Sequence, residues 1–126
     1  HPYNRKKMHI SRNGKIGITH WELKQSFSNI ASLIECNLKT GRTHQIRVQF
    51  ANNGNHLIGD KVYYNPKTKK RYLNKNNQNI FNLLKSFPRQ ALHAKHLSFL
   101  HPITNKKLSF ESKLPEDISK LIDNFT

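Results

Sequence analysis

The chain has 126 residues, enough for one modest core and short of what two independent domains need. Its 22 lysines and arginines against 7 acids leave a formal charge of +15, an excess that implies an anionic partner, most simply nucleic acid. No long apolar run, basic amphipathic helix with a strong apolar face or secretory signal is legible, and a single cysteine cannot form an internal disulfide; a membrane partner is disfavoured and the expected compartment is the cytoplasm.

The chain opens on His1 and stays basic and turn-rich to residue 16, with Asn13-Gly14 as a turn. No start signal for an element stands at His1, which reads as a piece of a longer protein. Ile18 to Phe27 alternates with period two in β-branched and aromatic residues and predicts a strand. Ser28-Asn29 is its turn and Ile30 to Leu38 its antiparallel partner, with Cys36 as a small core residue; Thr40-Gly41 ends that strand. A helix is expected from about Thr43, whose hydroxyl can cap the first turn. Ile46, Phe50 and Ala51 form its apolar stripe, and Asn52-Asn53-Gly54 its stop. Leu57-Ile58-Gly59-Asp60 then passes through a tight turn into Val62-Tyr63-Tyr64.

Residues 65–79, polar and carrying Pro66, read as a mobile insertion. Ile80 to Phe87 predicts a short helix, Ala91 to Leu100 a strand, residues 101–106 a hairpin turn and Lys107 to Lys113 the returning strand. Pro115, followed by Glu116 and Asp117, opens a last helix to about Phe125. The order predicts an α+β fold, a mostly antiparallel sheet with helices packed on it.

Most chemistry is concentrated in Thr40 to Arg47. Gly41 allows a sharp turn there. On a helix His44 and Arg47 share a face, with Arg42 just outside. The bland alternative is a solvated helix start with two surface arginines. Against it, Arg47 adjoins the core-facing Ile46, which places it in a half-buried site where a guanidinium needs a fixed acidic or phosphate partner. Asp60 follows Gly59, and an aspartate in such a turn usually bonds its own backbone, so it reads as structural. His93, His96 and His101 lack a cysteine pair or carboxylate to complete a ligand set, and no metal is expected. The basic tracts Arg5-Lys6-Lys7, Lys67 with Lys69-Lys70-Arg71, and Lys106-Lys107 favour RNA backbone contact, with Tyr72 as a base-stacking residue and Tyr63 in the core.

Leu38 to Val48, with its Thr40-Gly41-Arg42-Thr43-His44-Gln45-Ile46-Arg47, resembles the basic motif of the RluA-type pseudouridine synthases. His56 to Tyr63, Arg89 to Ala94, His101-Pro102, Leu114 to Asp117 and Arg5 to Met8 are similar to further segments of that family, in the same order. The basic opening is most similar to the RluD-like branch, which acts on large-subunit ribosomal RNA. The resemblance implies isomerisation of uridine to pseudouridine without cofactor or metal. In the family an aspartate in a His-Arg-Leu-Asp motif is essential, and a tyrosine in a strand motif stacks on the base. Neither motif occurs here, so the chain resembles the C-terminal half of the catalytic domain and is expected to be inactive alone. By the family pattern Arg47 pairs with that aspartate, Ile46 lines the uridine pocket, and Arg42 and His44 support the site or touch the RNA backbone. A half-domain bares sheet edges, which allows self-association with a second copy. The charge alone fits a non-catalytic basic RNA-binding module equally well; a DNA-binding domain is weaker, because no recognition helix stands out.

Overall fold

The alternating run around Trp21 builds a strand of 13 residues, β2 (Lys15–Phe27). In the computed structural model, which describes residues 5–12, 15–28, 30–41, 43–64 and 78–125, β2 is the centre of a three-stranded antiparallel sheet. Its neighbours are β1 (Arg5–Arg12) and β3 (Ala31–Leu38). The basic opening is therefore a strand where the sequence suggested only turns. Met8 lies opposite Thr19, and Trp21 opposite Lys6 on one side and Cys36 on the other. A bulge at Leu23/Gln25 shifts the pairing of β2 with β3. The turn between them closes with the Ile30 N–H donating to the Phe27 carbonyl, and Ser28 takes a positive φ of 54°. Asn13-Gly14 and Asn29 lie outside the described residues.

Helix α1 (Gln45–Asn52) packs on β1 and β2, and Phe50 meets Trp21 edge to face at 6.0 Å. It starts two residues later than expected, and Thr43 does not cap it. The N-cap is His44, in the left-handed region at φ 50°, with no side-chain capping bond. Gly41 is not the residue with the special backbone: its φ is not positive, and a Cβ there would meet nothing. The C-terminal end follows expectation, with Gly54 donating to Ala51 and Asn55 to Phe50 in paired closing bonds.

The inward face of α1 differs from the expected stripe. Gln45, Val48, Gln49 and Phe50 are buried, whereas Ile46 and Ala51 are only half-buried. Two glutamines face the sheet because an exacting set of partners meets them there. Gln45 Nε2 donates to the Ile18 carbonyl at 2.9 Å and to Thr19 Oγ1 at 2.8 Å, and its Oε1 accepts from Thr40 Oγ1 at 2.7 Å. Gln49 Nε2 donates to the Gly17 carbonyl at 2.9 Å, and its Oε1 accepts from the Thr19 hydroxyl. Thr40 Oγ1 in turn accepts the Ile18 N–H at 2.8 Å. Each buried polar atom named here has a partner, which is the condition for burying amides without a large penalty.

Contacts divide the chain into residues 1–90 and 91–126. The first unit ends with helix α2 (Gln78–Ser86), which takes in the last two residues of the expected 65–79 insertion; residues 65–77, with Lys67, Lys69, Lys70, Arg71 and Tyr72, lie outside the described residues. The second unit contains the hairpin of β4 (His96–Leu100) and β5 (Lys107–Glu111), then helix α3 (Glu116–Phe125) with Ile118 and Leu121 buried. Both strands are shorter than the sequence suggested, because residues 91–95 are irregular. The hairpin turn is held by His101, whose Nδ1 accepts from the N–H groups of Ile103 and Thr104 at 3.1 and 3.2 Å. The Leu97–Phe110 and Phe99–Leu108 pairs share one face of the hairpin, with the Phe99 and Phe110 rings stacked at 5.9 Å. No described helix is long and apolar enough to cross a membrane.

Candidate functional site

The site forms where the start of α1 meets the turn after Gly59. Gly59 has φ 80°, and the Arg89 carbonyl fills the space a Cβ would need, so glycine is required on both counts. The Asp60 N–H donates to the Leu57 carbonyl at 3.1 Å and closes the turn. The Asp60 side chain then folds back under its own backbone, where Oδ1 accepts the N–H groups of Val62 and Tyr63, each at 3.0 Å. This is the structural bonding expected of an aspartate in such a turn.

Asp60 does more than that. Its carboxylate takes Arg47 in a two-point pair, Nε to Oδ2 at 2.8 Å and Nη2 to Oδ1 at 2.9 Å. The aspartate side chain is fully buried and the arginine side chain 12 % exposed. Arg47 therefore has the fixed acidic partner that its half-buried position calls for, and that partner lies within this chain. The Arg47 pair, helped by the two backbone donors, outweighs burial and holds the Asp60 carboxyl at about 2, below its ordinary 3.8. The same bond pushes the guanidinium further toward its charged form.

Tyr63 completes the cluster. Its ring centroid lies 5.0 Å from Arg47 Cζ, so the ring faces the cation. Its hydroxyl is 3.0 Å from His44 Nδ1, and the two rings meet edge to face at 5.6 Å. Tyr63 is half-buried and serves the site, not the core as the sequence suggested. His44, in the left-handed region, has its ring against this tyrosine, and Arg47, one turn along α1, reaches the same ring. His44 and Arg47 do share a face, as their spacing implied.

The remaining candidates separate. Ile46 is half-buried beside Arg47. Arg42, Lys69, Lys70 and Arg71 lie outside the described residues. Arg5, Lys6 and Lys7 run along β1, and their side chains lie outside what is described. Lys106 and Lys107 are exposed at the hairpin of the second unit. His93 is engaged with the Ser112 carbonyl at 3.1 Å and His101 with its turn, and the described residues contain no cluster of metal-ligating side chains. Sequence reasoning missed Asp60 as the partner of Arg47. The signal was available: an inward arginine needs an acid, and the sequence offers only 7.

A model of the RNA pseudouridylate synthase family matches residues 1–52, which include β1 to β3 and α1. Beyond that stretch, the similarity to individual proteins runs along nearly the whole chain. A ribosomal large subunit pseudouridine synthase D of Zymomonas mobilis is 44% identical over 94% of this chain. One from Xylella fastidiosa is 37% identical over 97% of it. An uncharacterized RNA pseudouridine synthase, YlyB, of Bacillus subtilis is 40% identical over 96% of it. The chain covers 35%, 36% and 34% of these relatives, so it spans about a third of their length. With the motif that places Arg47 inside the matched region and the turn that anchors it inside the shared stretch, the chain belongs to the RluA-type RNA pseudouridine synthase family, as a partial synthase domain.

Proposed function

We propose that residues 1–126 form the C-terminal portion of one synthase domain and supply the basic wall of its uridine site. The observation that carries this reading is the state of Arg47. Asp60 occupies the Nε–Nη2 edge of the guanidinium, and among the described residues the Nη1 end has no acceptor. That end is suited to a second carboxylate, the catalytic aspartate carried by a His-Arg-Leu-Asp segment that this sequence does not contain. A guanidinium there keeps the aspartate ionised and fixes its direction.

In this reading a uridine of large-subunit ribosomal RNA is flipped from its stack, at a cost of a few kcal/mol, roughly, that pocket contacts offset. The N1–C1′ bond breaks, the base turns, and C5 bonds to C1′; C5 gives up its proton and N1 gains one. Ile46 lines the pocket beside Arg47. His44 and Arg42 border the RNA side, and Arg5, Lys6, Lys7, Lys69, Lys70 and Arg71 meet phosphates. The site needs no metal or cofactor, and the compartment is the cytoplasm. Alone, the chain converts no uridine; pseudouridine appearing on incubation with ribosomal RNA would overturn that.

The test of Arg47 is Arg47→Ala in the complete synthase that carries this segment. Turnover is lost while RNA affinity is largely kept. A variant that binds RNA poorly yet turns it over normally contradicts the assigned role.

A further inference from the structure

We propose that Asp60 is a positioning residue: by holding one edge of Arg47 it dictates which edge of the guanidinium meets the reacting carboxylate. This rests on the reading of Arg47 given above. A guanidinium can take a carboxylate two-point through its Nε–Nη2 side or its Nη1–Nη2 end. With the side occupied, the end is the edge left for a second carboxylate.

Asp60 is well suited to be an anchor. Its Oδ1 accepts from Val62, Tyr63 and Arg47 together, and its Oδ2 from Arg47. The turn beneath is fixed by Gly59 against the Arg89 carbonyl. Rotation of the guanidinium out of plane is limited on one face by the Tyr63 ring at 5.0 Å, itself held by His44. The planar fork of Arg47 is thus fixed along one edge and one face. A simple turn-forming aspartate requires none of this, because its two backbone bonds are complete without Arg47.

Asp60→Asn separates the two roles. The asparagine Oδ1 still accepts the Val62 and Tyr63 donors, so the turn survives, but Nδ2 cannot accept from Arg47 Nε. In the complete synthase, kcat on a ribosomal RNA fragment falls by about tenfold to a hundredfold, the size of effect a misplaced catalytic group produces. KM stays within about twofold, because RNA binding draws on other contacts. In 15N-edited spectra of the same protein, the Arg47 Nε–H signal is distinct and slow to exchange in the native form and joins the bulk arginine signals in the variant. A native-like kcat in a variant that has lost that signal overturns the proposal, and so does a KM increase that accounts for the whole defect. Should Asp60→Asn fail to fold, Asp60→Glu, which keeps the charge but shifts the carboxylate by one methylene, decides instead: a lower kcat at unchanged KM with a displaced Arg47 Nε–H signal is expected, and an unchanged kcat with that signal displaced overturns it. Full turnover by Arg47→Ala would instead sink the reading of Arg47 itself; an inactive Arg47→Ala beside a fully active Asp60→Asn sinks only the role of Asp60.

Discussion

Thr19→Val probes the contact that joins α1 to the sheet. Thr19 is fully buried, and its hydroxyl both donates to Gln49 Oε1 and accepts from Gln45 Nε2. Valine keeps the shape and removes both bonds. Gln45 Nε2 retains the Ile18 carbonyl, so its loss is modest. Gln49 Oε1 loses the donor it has in the described network, and a buried acceptor left unmet costs about 1–3 kcal/mol. Together the expected loss is about 2–3 kcal/mol. With a urea slope of about 1–3 kcal/mol per molar for a chain of this size, the midpoint falls by roughly 0.7–3 M. Trp21, the only tryptophan in the sequence, packs on Phe50 of α1 and reports this unfolding locally by fluorescence. A midpoint within about 0.2 M of the native value would show that the amide network is not what holds the helix.

Acid should weaken the native state through Asp60. Its folded value of about 2 lies below the ordinary 3.8, so its contribution is present above the latter and is lost as pH falls through the former. The size is about 1–2 kcal/mol, because solvent at the open end of Arg47 screens part of the pair; urea melts of native and Asp60→Asn chains should converge as the pH drops, and parallel curves contradict the assignment. Gly59→Ala forces a side chain into the Arg89 carbonyl at a left-handed position and should destabilise by about 2 kcal/mol or more; an unchanged melting temperature argues against the turn as described. Burial first, and Glu35 second, push the Cys36 thiol up to about 11. It should alkylate slowly at mildly basic pH and quickly in urea, measured by mass; reaction at the rate of a free thiol in the native state refutes that.

The elements that the sequence made legible are those whose signals are local. The β2–β3 turn, the closing of α1 at Gly54, the His101 hairpin and the opening of α3 after Pro115 each depend on a few adjacent residues. β1 was obscured because Arg5, Lys6, Lys7 and Arg12 dilute its alternation, and it becomes a strand by pairing with β2. The inward face of α1 was misassigned because hydropathy sends glutamine outward, and only the sheet's carbonyls and the Thr19 and Thr40 hydroxyls reverse that. Arg47 was recognised as half-buried by way of Ile46, although the buried neighbours are Val48 and the two glutamines. Its partner Asp60 bonds its own turn, as an aspartate after Gly59 is expected to; the second half of its bonding depends on how the turn and α1 meet in space. Tyr63 reads from the sequence as a core residue, and its hydroxyl and cation contacts have no signature in spacing.

An oily helix–sheet seam is indifferent to small slips, since a methyl shifted by a fraction of an ångström still touches something. Beside the Phe50–Trp21 contact, the seam under α1 is keyed by hydroxyl and amide links, from Thr40 through Gln45 and Thr19 to Gln49. Rotating the helix by one residue breaks every link at once. The polypeptide thereby indexes the azimuth of α1, and so the direction in which position 47 projects, more sharply than greasy packing would.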